Sequence, residues 1–427
     1  MTVTADKRAE RAWCLYDWAN SAFATVVLSA VLPVYFAAIA PLGGIPFSGR
    51  LIPATAFWSY TVAASMFLVA LIAPALGNLA DRHAIKKPLL IGFTLLGSIA
   101  TALLCLAGNG SYLLAAGLFL FANIGFAAGN VFYNAFLPEL AVGIEADRLS
   151  SRAYAWGYLG GGLVLALVFL LIEGHTWFGL PGKGAATRLG FLLTGLWWLA
   201  FSIPAFRWLK EGPVRPDTHP LGSPSDYLRL ARELAGYPDL LRFLLAFLLY
   251  NDGIQTIIAV AAIFASAELK LNTGTILGCY LMIQFLATPA TMLTARLVTR
   301  WGSKRSIMLT LAIFTGITIY ASMMTSALEF WILGLLVALV LGGSQALSRS
   351  LYSGLVPPAR SAEFFSFFAI SSKFASILGP LIFALFIDLT GSNRLAIISL
   401  AAFFVIGMIL LAGVDTDRGR QRVTAGH

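Results

Sequence analysis

Apolar residues run through this chain in stretches of roughly twenty, the length a helix needs to cross ~30 Å of hydrocarbon. Twelve such stretches lie at about 12–40, 55–79, 88–107, 112–136, 153–173, 188–206, 243–266, 275–297, 306–326, 329–354, 364–387 and 395–414, and each is predicted to be a membrane-spanning helix. A barrel is excluded, because its strands alternate apolar and polar positions over segments of about ten residues. The first stretch follows Lys7, Arg8 and Arg11 and ends Ala38-Ile39-Ala40, as a cleaved signal would. It is too long for that and carries Asp17 and Asn20, so it reads as a retained first span.

A polar stretch, 207–241, separates six runs from six. The expected organisation is an N-terminal six-helix bundle over 1–206, a linker over 207–241, a C-terminal six-helix bundle over 242–414 and a tail over 415–427. Within the linker, Ser223, Pro224 and Asp226 read as a helix start, and Gly236 with Pro238 as its stop. Tyr227, Leu230, Ala231 and Leu234 form one apolar face, so a short amphipathic helix on the membrane surface is expected there.

Two polar interruptions share a pattern. Asp17, Asn20 and Ser21 recur as Asp252, Gln255 and Thr256 at an offset of 235 residues. Positions i, i+3 and i+4 share one helix face, so each copy is a polar patch aimed in one direction. Asp81-Arg82-His83-Ala84-Ile85-Lys86-Lys87 likewise matches Thr299-Arg300-Trp301-Gly302-Ser303-Lys304-Arg305 at offset 218. Tyr133 to Pro138 matches Tyr352 to Pro357 at offset 219. The smaller offsets follow from a long loop, 41–54, present in the first half alone. Two six-span halves in one orientation form a parallel repeat, an arrangement that places a transport site between the halves.

Composition supports a membrane class. Of 427 residues, 59% are hydrophobic and 11% charged, where a soluble protein carries about a quarter charged. The net charge of +9 could suggest a nucleic-acid partner, but its placement explains it otherwise. With the N-terminus in the cytoplasm, 23 Lys and Arg fall in the cytoplasmic segments and 5 in the opposite ones. The positive-inside rule therefore puts both termini in the cytoplasm of a cell or plasma membrane, with the bilayer as partner and no nucleic acid. Cys14, Cys105 and Cys279 are too scattered for a disulfide framework or metal site, and the four histidines lie in loops or the tail. No metal or cofactor is expected.

Several motifs resemble one family. Gly77 to Lys87 looks like the loop between spans 2 and 3 of the major facilitator superfamily, with Ala84 where glycine is usual. Leu15 to Phe23, Phe132 to Glu139, Gly157 to Gly162 and Tyr250 to Thr256 are similar to the bacterial branch of the vacuolar-effluxer, autophagy-related permease-like family. The resemblance covers essentially the whole chain. It implies twelve helices in two pseudo-symmetric bundles, alternating access, and spans 1, 4, 7 and 10 lining a cavity with span 11 beside it. The fungal relatives export amino acids from the vacuole. Residues 157–162 are glycine-rich without proline, so the resemblance gives antiport no support.

Four charges fall well inside spans: Asp17, Asp252, Arg349 and Lys373. Charge at that depth pairs, or marks a solute or proton pathway. One reading is a permanent ion-pair network; the other is that an acid titrates or holds a cationic group while a base holds an anionic one. Asn123, Asn130 and Asn134 form a stripe on span 4, and offset 219 places Arg349 at the equivalent of Asn130. Gln345 and Ser344 are further lining candidates. Tyr16, Tyr133, Tyr250 and Tyr352 read as interfacial anchors. Gly77, Asp81, Arg82, Lys86, Lys87 and Arg300 are expected to gate the cytoplasmic side, with Asp81 as the latch the resemblance implies. The tail arginines are expected at lipid headgroups.

The functional expectation is a monomeric secondary transporter for a small polar solute, such as an amino acid or other zwitterion, with the proton as coupling ion. A membrane enzyme acting on lipids needs a nucleophile–base pair or a metal, and no span contains a histidine. A non-transporting receptor is the other alternative, against which the buried charges argue.

Overall fold

The computed structural model describes residues 6–41, 43–47, 49–212, 232–271, 273–374, 378–390 and 392–425. All twelve apolar runs are helical over most of their described length. Among the described residues nine helices are long and apolar enough to cross a membrane, or ten when one bent pair is counted as a span. The Thr273–Ala321 helix contains two of the expected spans, divided where Gly302 takes a left-handed φ of 75°. The only strands among the described residues are Ile45–Phe47 and Arg50–Ile52, an antiparallel pair in the long loop.

Local chemistry explains the helix ends. Asp6 caps the Lys7–Ala22 helix, its carboxylate accepting from the backbone N–H groups of Arg8 and Ala9. Ser326 and Glu329 form a reciprocal capping box at the start of the Ala327–Ser353 helix. The first run loses α-helical register at Phe23–Ala30, where the bonding is π-type, and bends 43° before Leu32–Ile39. Pro33 supplies the reason. It has no N–H to return to Ser29, and the Val31 N–H donates to Val26 O at 2.8 Å instead.

Contacts divide the chain into two compact units, and the division does not follow the linker alone. One unit holds the first half without Ala135–Ala155; that segment groups with the second half. In the first unit the core is aromatic, with Phe23 against Trp198 at 5.4 Å and Trp58 against Phe119 at 4.3 Å between ring centroids. Gly157, Gly160 and Gly161 lie against the first run: a Cβ on Gly160 would sit 2.5 Å from Trp18 O. In the second unit Phe247 stacks on Phe368 at 4.3 Å, and Phe314 on Phe404 at 5.4 Å.

Two expectations change here. The four motif tyrosines are not interfacial anchors: Tyr16, Tyr133, Tyr250 and Tyr352 are all buried, each spending its ring on packing or its hydroxyl on a partner. Tyr133 stacks between Trp13 and Tyr16, and the Tyr352 hydroxyl donates to Phe364 O at 2.5 Å. The tail is helical over Thr416–Ala425, and of its arginines Arg418 makes an ion pair while Arg420 and Arg422 stay exposed. Arg418 grips the Asp239 carboxylate at 2.6 and 2.7 Å, which holds the guanidinium pKa above its ordinary value. The amphipathic linker helix falls largely outside the described residues, of which 232–235 are helical.

Candidate functional site

In the first unit the Asp17 patch faces the helix of span 4. Asn20 Nδ2 donates to Asn130 Oδ1 at 2.9 Å, so two of the sequence candidates meet. Tyr16 and Thr94 share a hydroxyl hydrogen bond of 2.9 Å one residue away. Asp17 is buried and partnered, Ser21 is half-buried against Gly157, and Asn134 is half-buried and partnered. Asn123 donates to Ser65 Oγ at 2.8 Å, as an amide in a membrane helix commonly does.

The second patch differs from the first. Asp252 is fully buried, and neither carboxylate oxygen has a hydrogen-bond partner among the described residues. Thr256 Oγ1, one turn on, is likewise unpartnered. Gly379, on the Leu378–Thr390 helix, covers both: a Cβ there would lie 1.9 Å from Thr256 Oγ1 and 2.9 Å from Asp252 Oδ1. Only a glycine lets that backbone close over the acid. Tyr250, two residues before Asp252, bonds Ser348 at 2.5 Å. Gln255 is half-buried, and Gln345 is half-buried and partnered.

Arg349 is buried within its own unit. Its Nε donates to Ser150 Oγ at 2.9 Å, one terminal nitrogen to Ser150 O at 3.0 Å, and the guanidinium lies 4.2 Å over the Tyr154 ring. Ser150 in turn donates to Ala346 O at 2.7 Å. Next to this clamp, Asp147 accepts from Ser303 Oγ at 2.7 Å and from Ser350 Oγ. Ala135–Ala155 is thus fastened to second-half helices by one cation and one carboxylate, both buried. Sequence reading passed over Asp147, Ser150, Tyr154, Ser303 and Ser350. Asp147 carried a signal, as an acid in a helix's first turn, but its partners stand 156 and 203 positions away. Lys373 is helical; its side chain lies outside the described residues.

The gating residues fall at two turns. Asp81 is buried in the last turn of the Ala54–His83 helix, 3.6 Å from Lys86 Nζ, itself buried. The turn between them keeps its left-handed residue without glycine: Ala84 has φ 51° and ψ 50°, and its counterpart Gly302 has φ 75°. Gly77 is buried, Arg82 half-buried, Arg300 exposed, and the Lys87 N–H donates to Glu211.

The long apolar helices are those of a multi-pass membrane protein, and the fold is that of the major facilitator transporters. It matches FucP, a major facilitator transporter crystallised in the outward conformation, at a TM-score of 0.71 and 15% identity, over 96% of this chain and 98% of that one. The chain belongs to the family described as vacuole effluxer Atg22 like, which it matches over residues 5–424. It is 34% identical to the MFS-type transporter YxiO of Bacillus subtilis (strain 168) over 97% of both chains. It is 25% identical to autophagy-related protein 22 of Yarrowia lipolytica, over 88% of this chain and 78% of that one.

Proposed function

We propose that this chain moves a small polar solute, such as an amino acid or other zwitterion, across the cell membrane by alternating access, with proton coupling at Asp252. The carrying observation is the Asp252–Thr256 patch, covered by Gly379, in which neither the Asp252 carboxylate nor the Thr256 hydroxyl has a hydrogen-bond partner among the described residues. An isolated ionised carboxylate in an apolar interior is expensive, and taking up a proton removes that expense. Opening the contact at Gly379 would return the acid to water and release the proton. Asp17, Asn20, Ser21, Asn130 and Asn134 then offer one set of solute contacts, and Gln255, Thr256, Gln345, Arg349 and Lys373 another. Gly77, Asp81, Arg82, Lys86, Lys87 and Arg300 serve the cytoplasmic gate, with both termini on that side. Export of amino acids, which the resemblance to vacuolar effluxers implies, is the first direction and solute class to test.

The test is flux in proteoliposomes under an imposed pH gradient, with amino acids as the first panel. Wild-type protein should concentrate its solute against the gradient, whereas Asp252→Asn should retain downhill exchange alone. Concentrative transport by Asp252→Asn at the wild-type level would overturn the assignment.

A further inference from the structure

Several attachments fix the tail helix to the second-half helices. Arg418 grips the buried Asp239 carboxylate at the start of the Pro238–Ala267 helix, and the Asp415 N–H donates to the same carboxylate at 2.9 Å. One turn further along, Arg422 donates to Gly236 O at 3.1 Å. Gly419, between the two arginines, is buried against Leu355, where a Cβ would lie 2.5 Å from Leu355 Cδ2. Just before the tail helix, Lys304 donates to Ala412 O and Val414 O, both at 2.7 Å. Ordering such a segment costs conformational entropy, which these bonds offset.

The same helix reaches Ala135–Ala155. Thr416 and Arg420 line an open cavity of about 960 Å³ whose lining also includes Gly143, Ile144 and Asp147. Arg420 runs past Gly354, where a Cβ would lie 3.4 Å from its Nε, and its charge acts on the Asp147 carboxylate. Asp147 also holds Ser303 and Ser350, so the tail's cation bears on the acid that fastens the first-half segment.

We propose that the tail helix is a strap on the cytoplasmic gate: anchored at Asp239 and Gly236, it holds Arg420 where that charge attracts Asp147, and so keeps Ala135–Ala155 against the second half. On the alternating-access reading above, opening the cytoplasmic side parts that segment, which belongs to the first half by sequence, from the helices it groups with; the strap rests on that reading. The pair at Asp239 is bidentate on a buried carboxylate, whereas Arg420 is exposed. The anchors therefore carry the strength and Arg420 the coupling. Releasing the tail withdraws the counter-charge from Asp147 and raises the population of the parted state.

The test is maleimide labelling of Ser151→Cys, fully buried in Ala135–Ala155, in the reconstituted full chain with Cys14, Cys105 and Cys279 replaced. Arg420→Gln and Arg418→Gln/Arg422→Gln should each quicken labelling roughly fivefold, the weight of a partly exposed charge pair. All three changes together should label no faster than Arg418→Gln/Arg422→Gln, because a detached tail no longer presents residue 420 to Asp147. Ser202→Cys, fully buried in the first unit, should label at the parent rate throughout, which separates release of the segment from general unfolding. Unchanged labelling of Ser151→Cys in either variant, effects that multiply in the combination, or equal quickening at Ser202→Cys would overturn the strap. Labelling needs neither solute nor gradient, so a chain that failed the flux test would still decide this one.

Discussion

Replacing Asp147 by alanine tests whether Ala135–Ala155 is held by that carboxylate. The side chain is 4% exposed and accepts hydrogen bonds from Ser303 Oγ at 2.7 Å and from Ser350 Oγ. A hydrogen bond to a charged group contributes about 1.5–3 kcal/mol, so the pair is worth about 3–6 kcal/mol. Ser350 also has Leu347 O within 3.1 Å and can turn its proton there, which moves the expected loss to about 3–4 kcal/mol. Arg349 still holds Ser150, so the segment loosens without the helices coming apart.

Ser151, fully buried four residues on, reports that loosening as a cysteine, once Cys14, Cys105 and Cys279 have been replaced. A thiol there reacts with maleimide only when the segment opens. A loss of 3–4 kcal/mol should speed labelling on the order of a hundredfold or more. Asp147→Asn keeps one acceptor and should fall between the two. An unchanged labelling rate in Asp147→Ala, or rapid labelling of Ser151→Cys in the parent, would refute the clamp.

Ala84→Gly should stabilise the protein by about 0.5–1 kcal/mol, because the left-handed turn penalises a Cβ more than glycine costs in chain entropy; thermal unfolding measures it. Gly160→Ala should destabilise by about 1–3 kcal/mol, because its Cβ would meet the Trp18 carbonyl, and backbone cannot rotate away as a side chain could. Backbone donors from Arg8 and Ala9 hold the Asp6 carboxyl below its ordinary value of 3.8. The folded pKa is the lower one, so this cap is fully present above the unfolded value and is lost as pH falls through the folded value. Amide exchange at Arg8 and Ala9 should therefore rise below about pH 4 relative to Asp6→Asn, whose cap does not titrate.

Much of the architecture could be read along the chain. The runs predicted at 112–136 and 188–206 became the helices Tyr112–Ala135 and Lys183–Trp208, because spanning length and apolar content are local properties. Asn20 and Asn130 were each marked by a polar stripe, while the hydrogen bond between them was set by packing. Ala84 stands where glycine is usual, yet the left-handed turn between the Ala54–His83 and Lys86–Leu103 helices is kept. Likewise the tyrosines read as interfacial from their residue type, but residue type does not say what lies across the helix from them.

Sequence by itself determined where the helices lie, that their polar patches are duplicated, and which acids and bases interrupt the apolar runs. Tertiary structure decided what those groups meet. It tied Arg349 to Ser150 across 199 positions, gave Asp147 two serines from other helices, and laid Gly379 over Asp252, whose carboxylate has no hydrogen-bond partner among the described residues. The physical reason is that a helix's length and polar face are set by residues within a few turns. The partner of a buried charge is set by which distant element packs against that face.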